Sequence, residues 1–163
     1  MSESTQLIEA LSTVEIEAIE AAAGHVPHRQ SAAIEALQIV QEHRGWISDE
    51  SLAAIARQLQ MSAAELDSIA TFYNLIFRQP VGRHVIYLCD SVSCFVMDSE
   101  KLQVELCETL NVAPGGTTED GRFTLLPIVC LGACDRAPAM MIDDQMFGPV
   151  NADNLSEILA RFE

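Results

Sequence analysis

Basic side chains are scarce in this sequence. Its 163 residues contain 9 Lys and Arg against 24 Asp and Glu, which gives a net charge of −15, and Lys101 is the single lysine. Binding to nucleic acid or to an anionic membrane surface depends on clustered cations, so neither partner is expected. The acidity does not predict disorder, because 49% of the residues are hydrophobic and can build a core.

Long hydrophobic runs are also missing. No apolar stretch approaches the roughly 18 residues that a membrane-spanning helix needs. The segment from Met1 to Gln6 lacks the basic region of an export signal and the arginines of a transit peptide. We therefore expect a cytoplasmic protein with no direct membrane insertion.

Two motifs that would suggest a catalytic site are absent. The sequence has no Cys-x-x-Cys, the motif of dithiol oxidoreductases, and no Gly-x-Gly-x-x-Gly, the motif of dinucleotide sites. Its one Gly-Gly pair, at 115–116, follows a predicted helix and is interpreted as a loop. We expect no catalytic residue and no small-molecule substrate bound by this chain itself.

Five cysteines are present, and all of them lie between residues 89 and 134. The number is odd and low for a disulfide framework, and cysteines in a reducing compartment more often bind metals or act in catalysis. The sequence therefore points to local chemistry in the second half of the chain.

The pattern before residue 80 is helical. Ser12 with Glu15 and Ser62 with Glu65 match capping boxes, in which a hydroxyl and a carboxylate satisfy the first amides of a helix. Gly45 is suited to end a helix between them. Ser48 or Asp49 is expected to begin a further helix. We therefore expect three or four short helices that form an N-terminal helical bundle.

A different pattern follows Gln79-Pro80-Val81-Gly82, where proline and glycine predict a boundary. The expected domains are residues 1–80 and 81–163. Asp98 is expected to cap a helix that runs to about Leu110. The predicted order is βαβββα, a mixed α/β sheet with its first two strands parallel. The predicted strands cover residues 83–89, 123–129, 139–143 and 146–150, and a last helix begins near Asn151.

Four cysteines form two pairs at the predicted strand ends. Cys89 and Cys94 enclose four residues, and Cys130 and Cys134 enclose three. Parallel strands bring the loops that follow them to one sheet edge, so four thiolates are expected to meet. Thiolates select zinc, copper(I) or iron–sulfur clusters. These loose pairs favour a [2Fe–2S] cluster, while a zinc site and unligated thiols stay open as alternatives.

Cys107 differs from the other four cysteines. It lies inside the predicted helix 98–110, three residues from both Val104 and Leu110. We interpret it as a small buried hydrophobic residue and not as a fifth ligand.

The cysteine segments resemble a known family. Cys89-Asp-Ser-Val-Ser-Cys94, Cys130-Leu-Gly-Ala-Cys134, Ala137-Pro138 and Met140-Met141-Ile142 are similar to the signature of the E subunits of bacterial NADH-quinone oxidoreductase, respiratory complex I, a thioredoxin-like [2Fe–2S] ferredoxin family. The likeness extends from about residue 12 to the end. It includes Gly45-Trp46, Ala70-Thr-Phe-Tyr73 and Phe77-Arg-Gln-Pro-Val-Gly-Arg83.

The resemblance implies a helical N-terminal part followed by a thioredoxin-like domain. It implies that one [2Fe–2S] cluster is held by Cys89, Cys94, Cys130 and Cys134, all of which are intact here. It also implies a redox subunit whose neighbouring F-type subunit binds NADH and FMN, with a G-type iron–sulfur subunit nearby. Such an assembly lies on the inner face of the cell membrane.

Two other functions remain open at this point. The same signature occurs in diaphorase subunits of soluble NAD-linked hydrogenases and formate dehydrogenases. From a different class, a zinc-stapled structural or assembly module would also use four cysteines. Iron and sulfide content separates the zinc module from the two redox alternatives.

Overall fold

The computed structural model describes residues 11–162. The segment Met1 to Gln6, on which the expectation of no targeting segment rests, lies outside these residues. Contacts within the chain divide it into two compact units, Met1–Pro80 and Val81–Glu163, called here the helical unit and the sheet unit. Every helix among residues 11–162 is too short or too polar to cross a membrane.

The helical unit forms from capped amphipathic segments. It contains α1 (Thr13–Gly24), α2 (Ala33–Arg44), α3 (Asp49–Leu59) and α4 (Ala63–Phe72), with a 3₁₀ turn at Arg29–Ala32. Both predicted capping boxes are confirmed, at the starts of α1 and α4. Gly45 ends α2 in the left-handed region with φ of 82°, a conformation that favours glycine.

One apolar core holds these helices together. Ile19 on α1, Leu37 on α2, Ile55 and Leu59 on α3 and Leu66 on α4 are fully buried in it. Full burial of such a side chain contributes about 1.5–3 kcal/mol. Because every helix supplies part of this core, the helices of the unit depend on one another for stability.

A buried ion pair adds a polar link inside the helical unit. Glu15, 2% exposed, receives two hydrogen bonds of 2.7 Å from the Arg44 guanidinium, and Arg44 also donates to Ser51. The bonds from Arg44, aided by those with Ser12, outweigh the opposite effect of burial and lower the pKa of Glu15 from its usual 4.5 to about 2. One carboxylate therefore caps α1 and connects α1, α2 and α3.

Replacing this carboxylate tests the link. Glu15→Gln is expected to lower the free energy of unfolding at pH 7 by about 2–3 kcal/mol, because it removes the buried negative charge that bonds twice to Arg44. Since the pKa is lowered on folding, the contribution is complete above about pH 4.5 and is lost as the pH falls towards about 2. Denaturant unfolding followed by helical circular dichroism measures the change.

Glu65→Gln is the matched control for this variant. Glu65 completes the capping box of α4 but is exposed and bonds only with Ser62. Its replacement is expected to cost below about 1 kcal/mol. Equal losses in the two variants would mean that the bond to Arg44 adds nothing beyond the cap.

The sheet unit is built around four strands. Its elements are β1 (His84–Cys89), α5 (Val92–Val96), α6 (Ser99–Leu110), β2 (Phe123–Ile128), β3 (Met140–Ile142), β4 (Gln145–Phe147) and α7 (Ala152–Leu159). The strand order is β2-β1-β3-β4. β1 pairs with β2 in parallel, as predicted, and the two other pairings are antiparallel.

Three details of the sheet unit differ from the prediction. Strand β4 covers Gln145–Phe147 and not 146–150, so it ends before Gly148 and Pro149. Short helix α5 was not expected, because its five residues carry no helical period of their own. Asp98 precedes α6 as expected but makes no side-chain cap, and it has φ of 65°. Its amide bonds to the Phe95 carbonyl at 3.1 Å. The turn out of α5 therefore decides the conformation of Asp98.

Helices α6 and α7 pack against one set of strand residues. Alternate positions of β1, Ile86 and Leu88, lie in the same buried cluster as Leu125, Met140 and Ile142. The helices contribute Leu102, Leu106, Leu155, Ile158 and Leu159. This core fixes β1 between edge strand β2 and β3, which determines where the cysteine loops begin.

Candidate metal centre

The parallel pair β1 and β2 brings the two cysteine loops together. Cys89, the last residue of β1, lies opposite Ile128, the last residue of β2. The ladder continues one step further, because the Asp90 amide bonds to the Ile128 carbonyl at 3.0 Å. Both loops therefore leave the sheet at the same edge, as the sequence predicts.

The four paired cysteines differ in their exposure. Cys89 and Cys94 are buried, at 3% and 1% exposure, whereas Cys130 and Cys134 are exposed. Cys94 lies in α5 and not in a loop, which corrects the prediction, and Cys134 begins a 3₁₀ turn that ends at Arg136. The candidate centre thus has two thiols on its protein side and two on its solvent side.

Apolar residues with small side chains surround the buried thiols. Cys89 and Cys94 form a cluster with Ala133, Ala137 and Ala139, and Leu131 and Met146 pack against it. Small side chains allow the backbone to approach the sulfur atoms closely. The protein side of the centre therefore excludes water and brings amide groups near the thiols.

Backbone amides point at three of the sulfur atoms. Gly132 N–H donates to Cys130 Sγ at 3.4 Å, and Gly132 has φ of 78°, a conformation that few other residues adopt. The amides of Leu131 and Ser91 bond to Cys89, and the amide of Ala139 bonds to Cys94. Such N–H···S bonds are among the features that tune protein-bound iron–sulfur clusters.

The pKa values of the two buried thiols move in opposite directions. Burial raises the pKa of Cys89, but hydrogen bonds from Leu131, Ser91 and the Cys94 thiol outweigh it, so the pKa of Cys89 is lowered. Burial raises the pKa of Cys94, and negative charge on Cys89 and Cys134 raises it further. The negative charge that acts on Cys94 thus comes from cysteines that follow both β1 and β2.

The chemistry of this donor set fits an iron–sulfur cluster. Four soft sulfur donors lie at one edge of the sheet, with an amide donor at Cys130 and an apolar cluster around Cys89 and Cys94. Among the described residues, no set of three or more His, Cys, Asp or Glu side chains is grouped closely enough to hold a metal ion. The donors are arranged by two loops and are not gathered around one point.

Cys107 lies away from these loops, on α6. It is partly buried and packs against the core of the sheet unit. This agrees with its interpretation as a small hydrophobic residue, although it is less buried than expected.

Gly148 supports the Cys130–Cys134 loop, a role that the sequence did not reveal. A Cβ atom at this position would overlap the carbonyl oxygen of Arg136 and lie 3.0 Å from its Cβ. The 3₁₀ turn from Cys134 to Arg136 thus packs directly on the backbone after β4. A glycine followed by proline was the only signal in the sequence for a tight backbone contact.

Four cysteines, at the end of β1 and in the segments that follow β1 and β2, lie at one edge of a mixed four-stranded sheet, which is the arrangement of an iron–sulfur protein with thioredoxin-like architecture. Comparison with known families agrees: residues 19–163 match the thioredoxin-like [2Fe-2S] ferredoxin family. The chain belongs to this family, and its cofactor is a [2Fe–2S] cluster. The resemblance seen in the sequence is thereby confirmed.

Curated relatives support the same assignment. The chain is 48% identical over 153 residues to the E subunit of NADH-quinone oxidoreductase from Salmonella typhimurium, covering 94% of this chain and 92% of the relative. The E subunit from Escherichia coli K12 gives the same values. The E subunit from Pseudomonas aeruginosa is 46% identical over 152 residues, covering 93% and 92%.

A solved structure shares the fold. A chain of an NAD+-reducing [NiFe]-hydrogenase in the air-oxidized state matches with a TM-score of 0.68 and 24% identity, over 80% of this chain. The match spans 22% of the hydrogenase chain. At this level of identity the likeness supports the architecture alone.

The contact at Gly148 gives a testable prediction. Gly148→Ala is expected to displace the turn at Cys134–Arg136, because the blocking atoms belong to backbone that cannot rotate away. We expect the iron and acid-labile sulfide per purified chain to fall to less than half of the wild-type content. Gly24→Ala is the control, since nothing lies within 4 Å of a Cβ at that position. Unchanged iron in Gly148→Ala would contradict the supporting role.

Proposed function

We propose that this chain is the electron-transfer subunit of an NADH-quinone oxidoreductase and that Cys89, Cys94, Cys130 and Cys134 hold its [2Fe–2S] cluster. The observation that carries the proposal is the convergence of both cysteine loops at the edge where parallel β1 and β2 end. When bound, the cluster supplies one-electron chemistry, exchanging single electrons with the FMN of a partner subunit. The chain is thus a redox subunit of an oxidoreductase with no catalytic site of its own.

The residues of the site divide this work. Cys89 and Cys94 hold the group from the protein side, where burial and the neighbouring alanines keep water away. Exposed Cys130 and Cys134 hold it from the side that a partner can approach. The amide of Gly132 and those that point at the buried sulfurs stabilise negative charge on the thiolates.

The partners follow from the curated relatives, which are subunits of a larger enzyme. In this proposal, an F-type subunit holds NADH and FMN, and a G-type iron–sulfur subunit lies nearby. The assembly is cytoplasmic and peripheral, on the inner face of the cell membrane. Met1–Pro80 acts as a helical-bundle domain that contacts the partner, and Val81–Glu163 is the thioredoxin-like domain.

Serine substitutions test the four ligands. In each of Cys89→Ser, Cys94→Ser, Cys130→Ser and Cys134→Ser, we expect the iron content to fall well below the about two irons and two sulfides of an intact cluster. The visible absorbance and the paramagnetic signal of the reduced protein should fall with it. Cys107→Ser is the matched control and should retain both, because Cys107 packs against the core from α6, away from the cysteine loops.

The same measurement distinguishes the zinc alternative. A colourless wild-type chain with one stoichiometric zinc would overturn the redox function while leaving four cysteine ligands in place. If Cys107→Ser also loses the cluster, the loss in the other variants is due to misfolding and not to the removal of a ligand.

Two carboxylates beside the ligands are expected to lower the reduction potential. Asp90 and Asp135 each follow a cysteine directly and are exposed, and Arg136 offsets Asp135 at 3.8 Å. Because nearby negative charge makes an added electron more costly, changing both to Asn should raise the potential in a redox titration. An unchanged potential would show that solvent screens them fully.

Glu119→Gln controls for the loss of charge in general. Glu119 is exposed and precedes β2, at the opposite end of the strand from Cys130. At about 3.3 Å per residue, the strand separates it from the cysteines by more than the Debye length of about 8–10 Å. Its replacement should leave the potential unchanged.

A further inference from the structure

A methionine from outside the cysteine segments reaches the buried thiols. Three alanines complete the apolar cluster around Cys89 and Cys94, and two larger side chains pack against it, Leu131 and Met146. Leu131 belongs to the second cysteine segment, whereas Met146 lies on β4, which carries no cysteine. Met146 therefore brings the hairpin of β3 and β4 into contact with the protein side of the candidate centre.

Strand pairing places Met146 on the same face of the sheet as Cys89. Met146 pairs with Met141 on β3, and Met141 pairs with Tyr87 on β1. Paired residues share a face, and Tyr87 and Cys89 share one because side chains alternate along a strand. Helices α6 and α7 pack on the other face, where Ile86 points. The thiol of Cys89 is thus covered by neighbouring side chains and not by α6 or α7.

The turn of this hairpin is anchored on β1, which fixes the place of Met146. Asp143 has φ of 54°, and its amide donates to the Val85 carbonyl at 3.0 Å. Its carboxylate accepts a bond of 3.0 Å from the Val85 amide and contacts His84 Nδ1 at 2.8 Å. After β4, Gly148 makes its close backbone contact. Both ends of the short strand are therefore held.

An apolar side chain at this place acts on the cluster through solvent. A [2Fe–2S] cluster with four thiolates gains negative charge on reduction, and nearby water or polar groups stabilise that charge. The hydrophobic shell of a metal site controls solvent access and hence the reduction potential. Methionine suits an irregular gap, because its unbranched thioether adapts to its neighbours. Met146 is half-buried, so a polar residue there would lead water towards the buried thiols.

We propose that Met146 tunes the centre: it shields the Cys89 and Cys94 side from water, keeps the reduction potential low and slows the loss of iron. This inference rests on the proposed function, because it takes these two cysteines as ligands. It gives β4, a strand without a ligand, a part in setting how readily the cluster accepts an electron.

The test uses the full, cluster-containing chain. Met146→Gln keeps the length of the side chain and makes it polar, whereas Met146→Leu keeps it apolar. Met146→Gln is expected to raise the potential in a redox titration and to speed iron release to a chelator at least about threefold. Met146→Leu should keep the wild-type potential and release iron within about twofold of the wild-type rate.

Met61→Gln is the matched control. Met61 is also half-buried, but it packs against the core of the helical unit. The same exchange of thioether for amide should therefore leave the potential and the iron release at their wild-type values. Iron, sulfide and far-UV circular dichroism are measured first on every variant.

Met146→Thr is the second polar variant, since a β-branched residue suits a strand, and the same changes are expected. Loss of the cluster from both polar variants while Met146→Leu retains it would be the extreme form of the expected iron loss. Polar variants with the wild-type potential and iron release would overturn the tuning role while the proposed function stands. An equal rise of the potential in Met146→Leu or Met61→Gln would overturn it as well. A wild-type chain without iron and sulfide would overturn the proposed function itself.

Discussion

β1 and β2 run parallel, and the sheet edge at which both strands end determines where all four paired cysteines lie. In an antiparallel pair, the loops after the two strands would emerge at opposite edges, and the two cysteine segments would be separated by the length of a strand. A parallel connection requires a long crossover, which α6 and the following loop provide. The core under β1, with Leu102 and Leu106 of α6, therefore serves the metal centre by holding this connection in place.

The second requirement is close approach of the backbone to sulfur. Gly132 turns its amide towards Cys130, the alanines near Cys89 leave room, and Gly148 lets the turn after Cys134 sit on the strand region beneath it. Gly132 adopts a positive φ, the alanines pack around the buried thiols, and Gly148 contacts the Arg136 backbone, so each position requires a small side chain or none. These small residues allow close packing, and the packing determines the conformations of both cysteine loops.

Local patterns were enough to predict much of this structure. Both capping boxes, the glycine end of α2 and the parallel first pair of strands follow from residues a few positions apart or from simple strand periodicity. The short helix α5 could not be predicted in this way, because its five residues carry no helical period, and the left-handed Asp98 follows from the turn that ends α5. The bond between Glu15 and Arg44 joins residues 29 apart, and no local signal indicates which arginine lies opposite. The same holds for Gly148, whose contact with Arg136 exists only in the folded chain.

Acidity and apolarity are distributed differently, and this difference determines how a partner meets the centre. Residues 1–80 carry 4 basic and 11 acidic side chains and residues 81–163 carry 5 and 13, so the two halves have nearly equal net charges of −7 and −8. Net negative charge of this size keeps copies of the chain apart and attracts cationic surfaces. Orientation must then come from short-range contacts. In the sheet unit, the exposed apolar side chains available for them lie almost entirely on the loops that carry the cysteines.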